Sequence, residues 1–230
     1  MNELFAASAT AGVVISLIAY WIGMLLKNKF KSGILNPLLI AIILVIAFLL
    51  LTGVEYQTYN ASAKYLSWLL TPATVSLAIP LYQQLERLKQ NIKAILISIL
   101  VGCMTSLLSI YLFSLVFRFS HELYVSFLPK SITTAIGMSI SEEMGGIVSI
   151  TVAAIIITGI TGNMIGEAVC RIMKITDPVA VGLAIGTSAH AIGTSKAMEL
   201  GETEGAMSSL SIVTSGIITV IVASLFAHLA

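Results

Sequence analysis

The sequence predicts an all-α polytopic membrane protein, with about six full spans plus two broken or re-entrant segments arranged as an inverted repeat with discontinuous helices. Three observations carry that prediction. Only 10% of the 230 residues are charged and 57% are hydrophobic, with a mean hydropathy of +1.00, whereas a soluble domain carries about 25% charged residues. The 12 basic and 11 acidic side chains are fenced into short stretches, which leaves charge-free windows at 4–26, 32–54, 65–85, 94–117, 144–166, 178–195 and 205–230. Most of these reach the roughly 18–20 residues that cross a ~30 Å hydrocarbon core as a helix. A soluble helix keeps a polar face, but lipid requires apolar residues all round.

The same composition excludes other classes. Disorder, a collagen-like fibre and an ordinary soluble globule all need a different balance of residues. A net charge of +1 offers no basic stripe for nucleic acid. Cys103 and Cys170 lie far apart, in or beside apolar windows, and read as small buried hydrophobes. No His/Cys cluster suggests a metal, and no motif suggests a cofactor. Residues 4–26 read as a retained first span, because Glu3 stands where a signal peptide would be basic. The whole chain, 1–230, is expected to form a single transmembrane domain, with N-terminal spans in 1–120 and possible repeat units at 121–176 and 177–230.

Loop charges set the expected topology. Lys27, Lys29 and Lys31 place the first loop in the cytoplasm and the N-terminus outside; Arg87, Lys89 and Lys93 mark a second cytoplasmic loop. A full crossing at 123–145 would then put Arg171 and Lys174 outside, against the rule. A re-entrant segment there restores the count and is preferred to a broken spanning helix. The same choice recurs at 178–204.

A short internal pattern links these segments. Runs starting at Pro72, Pro129 and Pro178 share a β-branched residue three positions on, Ala-Ile at six and seven, and then Pro80, Gly137 or Gly186. Proline is tolerated in a helix's first turn, so each run reads as a fresh helix start ended after two turns. A plain proline kink is the simpler reading for 65–85. Half-helices are costly in lipid unless protein or water satisfies the freed backbone, so a protein-lined polar cavity is expected.

The densest constellation is 184–196, with a tandem Ala-Ile-Gly-Thr-Ser that supplies Gly186, Thr187 and Ser188, then Gly193, Thr194 and Ser195. Glycine beside hydroxyl residues lets backbone approach a ligand, and a helix start after such a break exposes N–H groups to an anion. His190 is the one ionisable residue between Asp177 and Lys196, either a ligand contact and proton relay or a structural hydrogen-bonder. The second constellation is Lys130, Ser131, Thr133 and Thr134, followed by Glu142 and Glu143 before Gly145-Gly146. Lys130 either faces an anion or snorkels to the interface. The glutamates form either a solvated turn or, with His190, a coupling site. Asn163 is a cavity-facing candidate inside an apolar span, while Gly162 and Gly166 form a GxxxG whose ordinary meaning is close packing. No Ser-His-Asp order, HExxH or phosphate loop anchors an enzyme reading.

These constellations also carry a resemblance. Leu128-Pro129-Lys130-Ser131-Ile132-Thr133-Thr134-Ala135-Ile136, and Gly186 through Ser195 with Glu199-Leu200-Gly201-Glu202, resemble the LrgB/CidB family; so do Leu70-Thr71-Pro72-Ala73-Thr74 and Ala78-Ile79-Pro80-Leu81-Tyr82. The resemblance covers nearly the whole chain. It implies a multi-pass protein of the bacterial cytoplasmic membrane working with a small LrgA/CidA-like membrane partner. It implies two accounts of the task. One is an antiholin-like restraint of murein hydrolase activity and autolysis. The other is uptake of a small monocarboxylate, as in pyruvate-uptake pairs and in the plastid glycolate/glycerate transporter, where both parts are fused. Paired broken segments with glycines, hydroxyls and a histidine favour a carrier for a small organic anion over a pore, which needs amphipathic helices that oligomerise. An accessory subunit without a site of its own, and a homo-oligomer, are the remaining alternatives.

Overall fold

The computed structural model describes residues 8–30, 36–69, 72, 75–76, 78–83 and 85–229. Every regular element among them is an α-helix, and the chain divides into two compact units, 1–76 and 77–230. In the first unit α1 (Ala11–Phe30) packs along α2 (Pro37–Thr52), followed by α3 (Tyr56–Ala63) and α4 (Tyr65–Trp68). Asn36 caps α2, its Oδ1 accepting from the Leu38 and Leu39 amides at 2.8 and 3.2 Å, and Pro37 takes the first turn. Lys27 and Lys29 sit in the last turn of α1, where cations oppose the helix dipole. Lys31 and residues 4–7 of the first window lie outside the described residues.

The second unit holds α5 (Ala78–Gln83), α6 (Leu85–Phe117), α7 (His121–Phe127), α8 (Thr134–Glu143), α9 (Val148–Ile172), α10 (Pro178–Leu200) and α11 (Glu202–Ala227). Four helices among the described residues are long and apolar enough to cross a membrane: Ala11–Phe30, Ile92–Phe117 within α6, Val148–Ile172 and Glu202–Ala227. The apolar α2 has 16 residues. In the expected span 65–85, residues 70, 71, 73, 74, 77 and 84 lie outside the described residues.

Two apolar clusters hold the second unit together. Tyr124, Val125 and Leu128 pack with Leu107 and Ile110 of α6 and Ala223 and Phe226 of α11, and the Tyr124 hydroxyl donates to the Phe226 carbonyl at 2.8 Å. Ile95, Ile99 and Cys103 of α6 meet Leu183 of α10 and Ala206 and Met207 of α11. The first cluster anchors α7; the second clamps the first half of α10 between α6 and α11.

Segment 123–145 is broken, as expected. Its helices of seven and ten residues span roughly 10 and 15 Å, half the hydrocarbon thickness or less. Hydroxyls satisfy backbone groups freed at the turns. Ser126 Oγ accepts from the Ile147 amide at 2.7 Å, and Thr151 Oγ1 donates to the Ser126 carbonyl at 2.9 Å. The boundaries correct the sequence reading. The second helix begins at Thr134 with Thr133 as its N-cap, not at Pro129, and Gly137 lies buried inside it. Helix α10 does begin at Pro178, with Asp177 Oδ1 accepting from the Ala180 amide at 2.9 Å. It runs through Gly186 and breaks at His190, where φ is 41° and ψ is −142°. Gly137 and Gly186 are points of close contact, so their weak helix propensity is overridden by what packs there. Residues 121–172 and 178–227 each run as two short helical pieces followed by one long helix.

Candidate functional site

Along α6, Ser98, Gly102, Thr105, Ser106 and Ser109 recur at helical spacing and place small or hydroxyl side chains on one face. That face forms one wall of a cleft of about 710 Å³. The first half of α10, from Asp177 to Ser188, forms the opposite wall, and Lys130 with Ser131 closes the cleft. From Ala94 to Ser109 the α6 wall is about 22 Å long at 1.5 Å per residue. Several hydroxyls give their protons to their own helix: Thr105 to the Val101 carbonyl at 2.8 Å, Ser188 to Ala184 at 2.7 Å, Ser109 to Ser106 at 2.7 Å.

Lys130 supplies the charge. Its Nζ donates to Ser106 Oγ at 3.2 Å and Ser131 Oγ at 3.1 Å, and those two oxygens are 3.0 Å apart. An ammonium has three donors, so one N–H remains. No ion pair among the described residues includes Lys130, whereas Lys196 meets Glu167 at 3.0 Å and Glu199 at 3.5 Å. Asp177 lines the cleft and is engaged as the α10 cap.

The structure thus brings together Lys130, Ser131, Thr187 and Ser188 and sends the other candidates elsewhere. Thr133 and Thr134 start α8 and do not line the cleft. Gly186 is pressed on the Ser208 backbone. Thr194 is fully buried, bonded to the His190 carbonyl at 3.0 Å and to Ser208 Oγ at 2.7 Å. Gly193 packs on Ala189, and Ser195 Oγ donates to the Ile192 carbonyl at 2.7 Å. Asn163 Nδ2 donates to the Ile192 carbonyl at 2.8 Å and to Ser195 Oγ at 3.0 Å, which fastens α9 to the second half of α10. Glu142 and Glu143 are exposed at the end of α8, before the left-handed Gly145.

His190 is 2% exposed, and its Nε2 lies 2.9 Å from the Ile155 carbonyl. Gly159 makes room for the ring, since a Cβ there would stand 2.6 Å from Cε1. The side chain locks the break of α10 rather than lining the cleft. Its positive φ strains any residue with a Cβ, by roughly 1–3 kcal/mol. His190→Ala loses the hydrogen bond and keeps the strain; His190→Gly loses the bond and relieves it. Differential scanning fluorimetry of both variants should therefore place the Ala melting temperature below the Gly one by about 2–12 °C. Equal values would mean that the break carries no strain.

Sequence reasoning missed Ser98, Thr105, Ser106, Ser109 and Asp177. The signal was available as hydroxyl and glycine residues at 98, 102, 105/106 and 109 inside an otherwise apolar window.

Comparisons with known proteins show the family. The model of the LrgB-like family matches residues 16–229. The chain is 38% identical over 219 residues to an antiholin-like protein LrgB of Bacillus subtilis (strain 168), covering 95% of each chain. It is likewise 38% identical over 216 residues to proteins of that name from Bacillus mycoides (strain KBAB4) and Bacillus cereus (strain B4264), covering 94% of each chain. No solved structure matches.

Proposed function

We propose that this chain, which belongs to the LrgB-like family, is a membrane carrier for a small monocarboxylate such as pyruvate or glycolate, and not an enzyme. The observation that supports this reading is Lys130, a half-buried ammonium met only by hydroxyls in a cleft of an otherwise apolar bundle. Withdrawing a charge from water is costly unless a counter-charge and hydrogen bonds compensate. A carboxylate would take the third N–H and supply the missing charge. Lys130 matches one negative charge, and the Asp177 carboxylate on the same cleft disfavours a second, which favours a monoanion.

In this reading the cleft walls are α6 and the first half of α10, and the break at His190 separates that half from the half fastened to α9. The two broken units are an inverted repeat, with the N-terminus outside the bacterial cytoplasmic membrane. A small LrgA-like membrane protein is the partner, and a proton gradient drives uptake. The alternative takes the relatives' name literally: an antiholin-like role in which the chain restrains a lysis pore.

The test is uptake of labelled pyruvate and glycolate into proteoliposomes, with and without an LrgA-like partner, under an imposed pH gradient. Saturable uptake without release of large dyes is expected. No uptake under any condition, together with dye release, would sink the carrier.

A further inference from the structure

Thr187 stands apart among the buried hydroxyls. Ser209 and Ser211 return their protons to the carbonyl four residues back, at 2.8 and 2.9 Å. Thr187 Oγ1 is the one buried side-chain nitrogen or oxygen, among the described residues, without a hydrogen-bond partner. Its methyl explains why. Cγ2 fills the notch that Gly102 leaves on α6, where an added Cβ would come within 2.7 Å. That contact fixes the rotamer and turns the hydroxyl away from its own helix.

Thr187 borders a small cavity of about 10 Å³ whose wall includes Ser106 and Ser131, the two serines that meet Lys130, and Ser215 and Thr219 as well as Cys103. That is room for a single water, which needs two to four polar partners. The proton count selects the ligand. Ser106 and Ser131 both accept from Lys130 Nζ, and one of them donates to the other. The second serine has spent both lone pairs and has a proton left to donate. A sodium ion needs lone pairs and would stand close to an ammonium, so it is disfavoured twice. A water accepts that proton and reaches Thr187 with one of its own.

We propose that a single buried water occupies this cavity, bound between the Ser106–Ser131 pair and Thr187, and completes the hydrogen bonding of the serines that meet Lys130. The site stands whether or not the cleft carries an anion. Thr187→Val removes the hydroxyl and keeps the shape. If water bridges the site, this variant strands a water and a serine proton, and its melting temperature falls by about 2–6 °C. An unchanged or raised melting temperature for Thr187→Val would overturn the proposal, because deleting an orphan hydroxyl is neutral or stabilising. So would a sodium-dependent rise in melting temperature that Thr187→Val abolishes, compared with choline at equal ionic strength. If Thr187→Val does not fold, a high-resolution map of the wild-type protein decides. A density peak within hydrogen-bond reach of Ser131 and Thr187 supports the water, and its absence rejects it.

Discussion

Lys130→Met should reduce monocarboxylate uptake by roughly 10- to 150-fold, the loss of one charge-assisted hydrogen bond at about 1.5–3 kcal/mol. Methionine keeps much of the lysine stem, so packing that the methylenes make is largely retained. The variant removes a half-buried ammonium whose partners are hydroxyls alone, so its melting temperature should equal or exceed that of the wild type. Lost uptake with kept or increased stability is the pattern of a charge held for a ligand. Lys130→Arg should be intermediate, since it preserves charge but its planar fork cannot copy an ammonium between two serines. Uptake kinetics and thermal melts of the three proteins check this. Full uptake by Lys130→Met would remove Lys130 from the site.

The second large effect is on stability. Gly186→Ala should cost roughly 1–3 kcal/mol or more, a fall in melting temperature of about 2–12 °C. A Cβ at this position would stand 2.5 Å from the Ser208 carbonyl oxygen and 2.6 Å from its Cα. Those atoms are backbone inside α11 and cannot rotate away, so the helices must separate. Separation would also stretch the 2.7 Å hydrogen bond between Thr194 and Ser208. Gly182 meets the Glu204 backbone in the same way one turn earlier, so combining Gly182→Ala with Gly186→Ala should abolish monodisperse protein. Gly166→Ala is the control. Its Cβ would make an ordinary 3.5 Å contact with Ile185, and alanine is the better helix former, so its melting temperature should be unchanged or slightly raised. Equal behaviour of Gly186→Ala and Gly166→Ala would mean that α10 and α11 are not in close contact.

The scarcity of charges made much of this legible beforehand. Charge-free windows correspond to the long helices α6, α9 and α11, because lipid leaves no other use for such stretches. Pro178 marked the start of α10, because proline in a first turn is a signal local in sequence. Lys130 stood out because few ionisable residues lie near apolar windows. His190 stood out for the same reason and Asn163 as a polar residue in an apolar span, yet their side chains turn to helix backbone at Ile155 and Ile192. Polarity in an apolar span signals a partner; it does not say whether that partner is a ligand or a neighbouring helix.

The sequence by itself determined the class of protein, the positions of the long helices and the existence of two broken segments, because each follows from local composition and from the needs of a backbone in lipid. Only the tertiary structure decided where α10 breaks and which hydroxyls face the cleft. Gly186 stays helical because α11 presses on it, and His190 departs because its ring finds the Ile155 carbonyl across a glycine gap. The α6 hydroxyls became part of the site only when α10 and Lys130 were brought against them. Those outcomes depend on contacts between residues far apart in the chain, which no local pattern encodes.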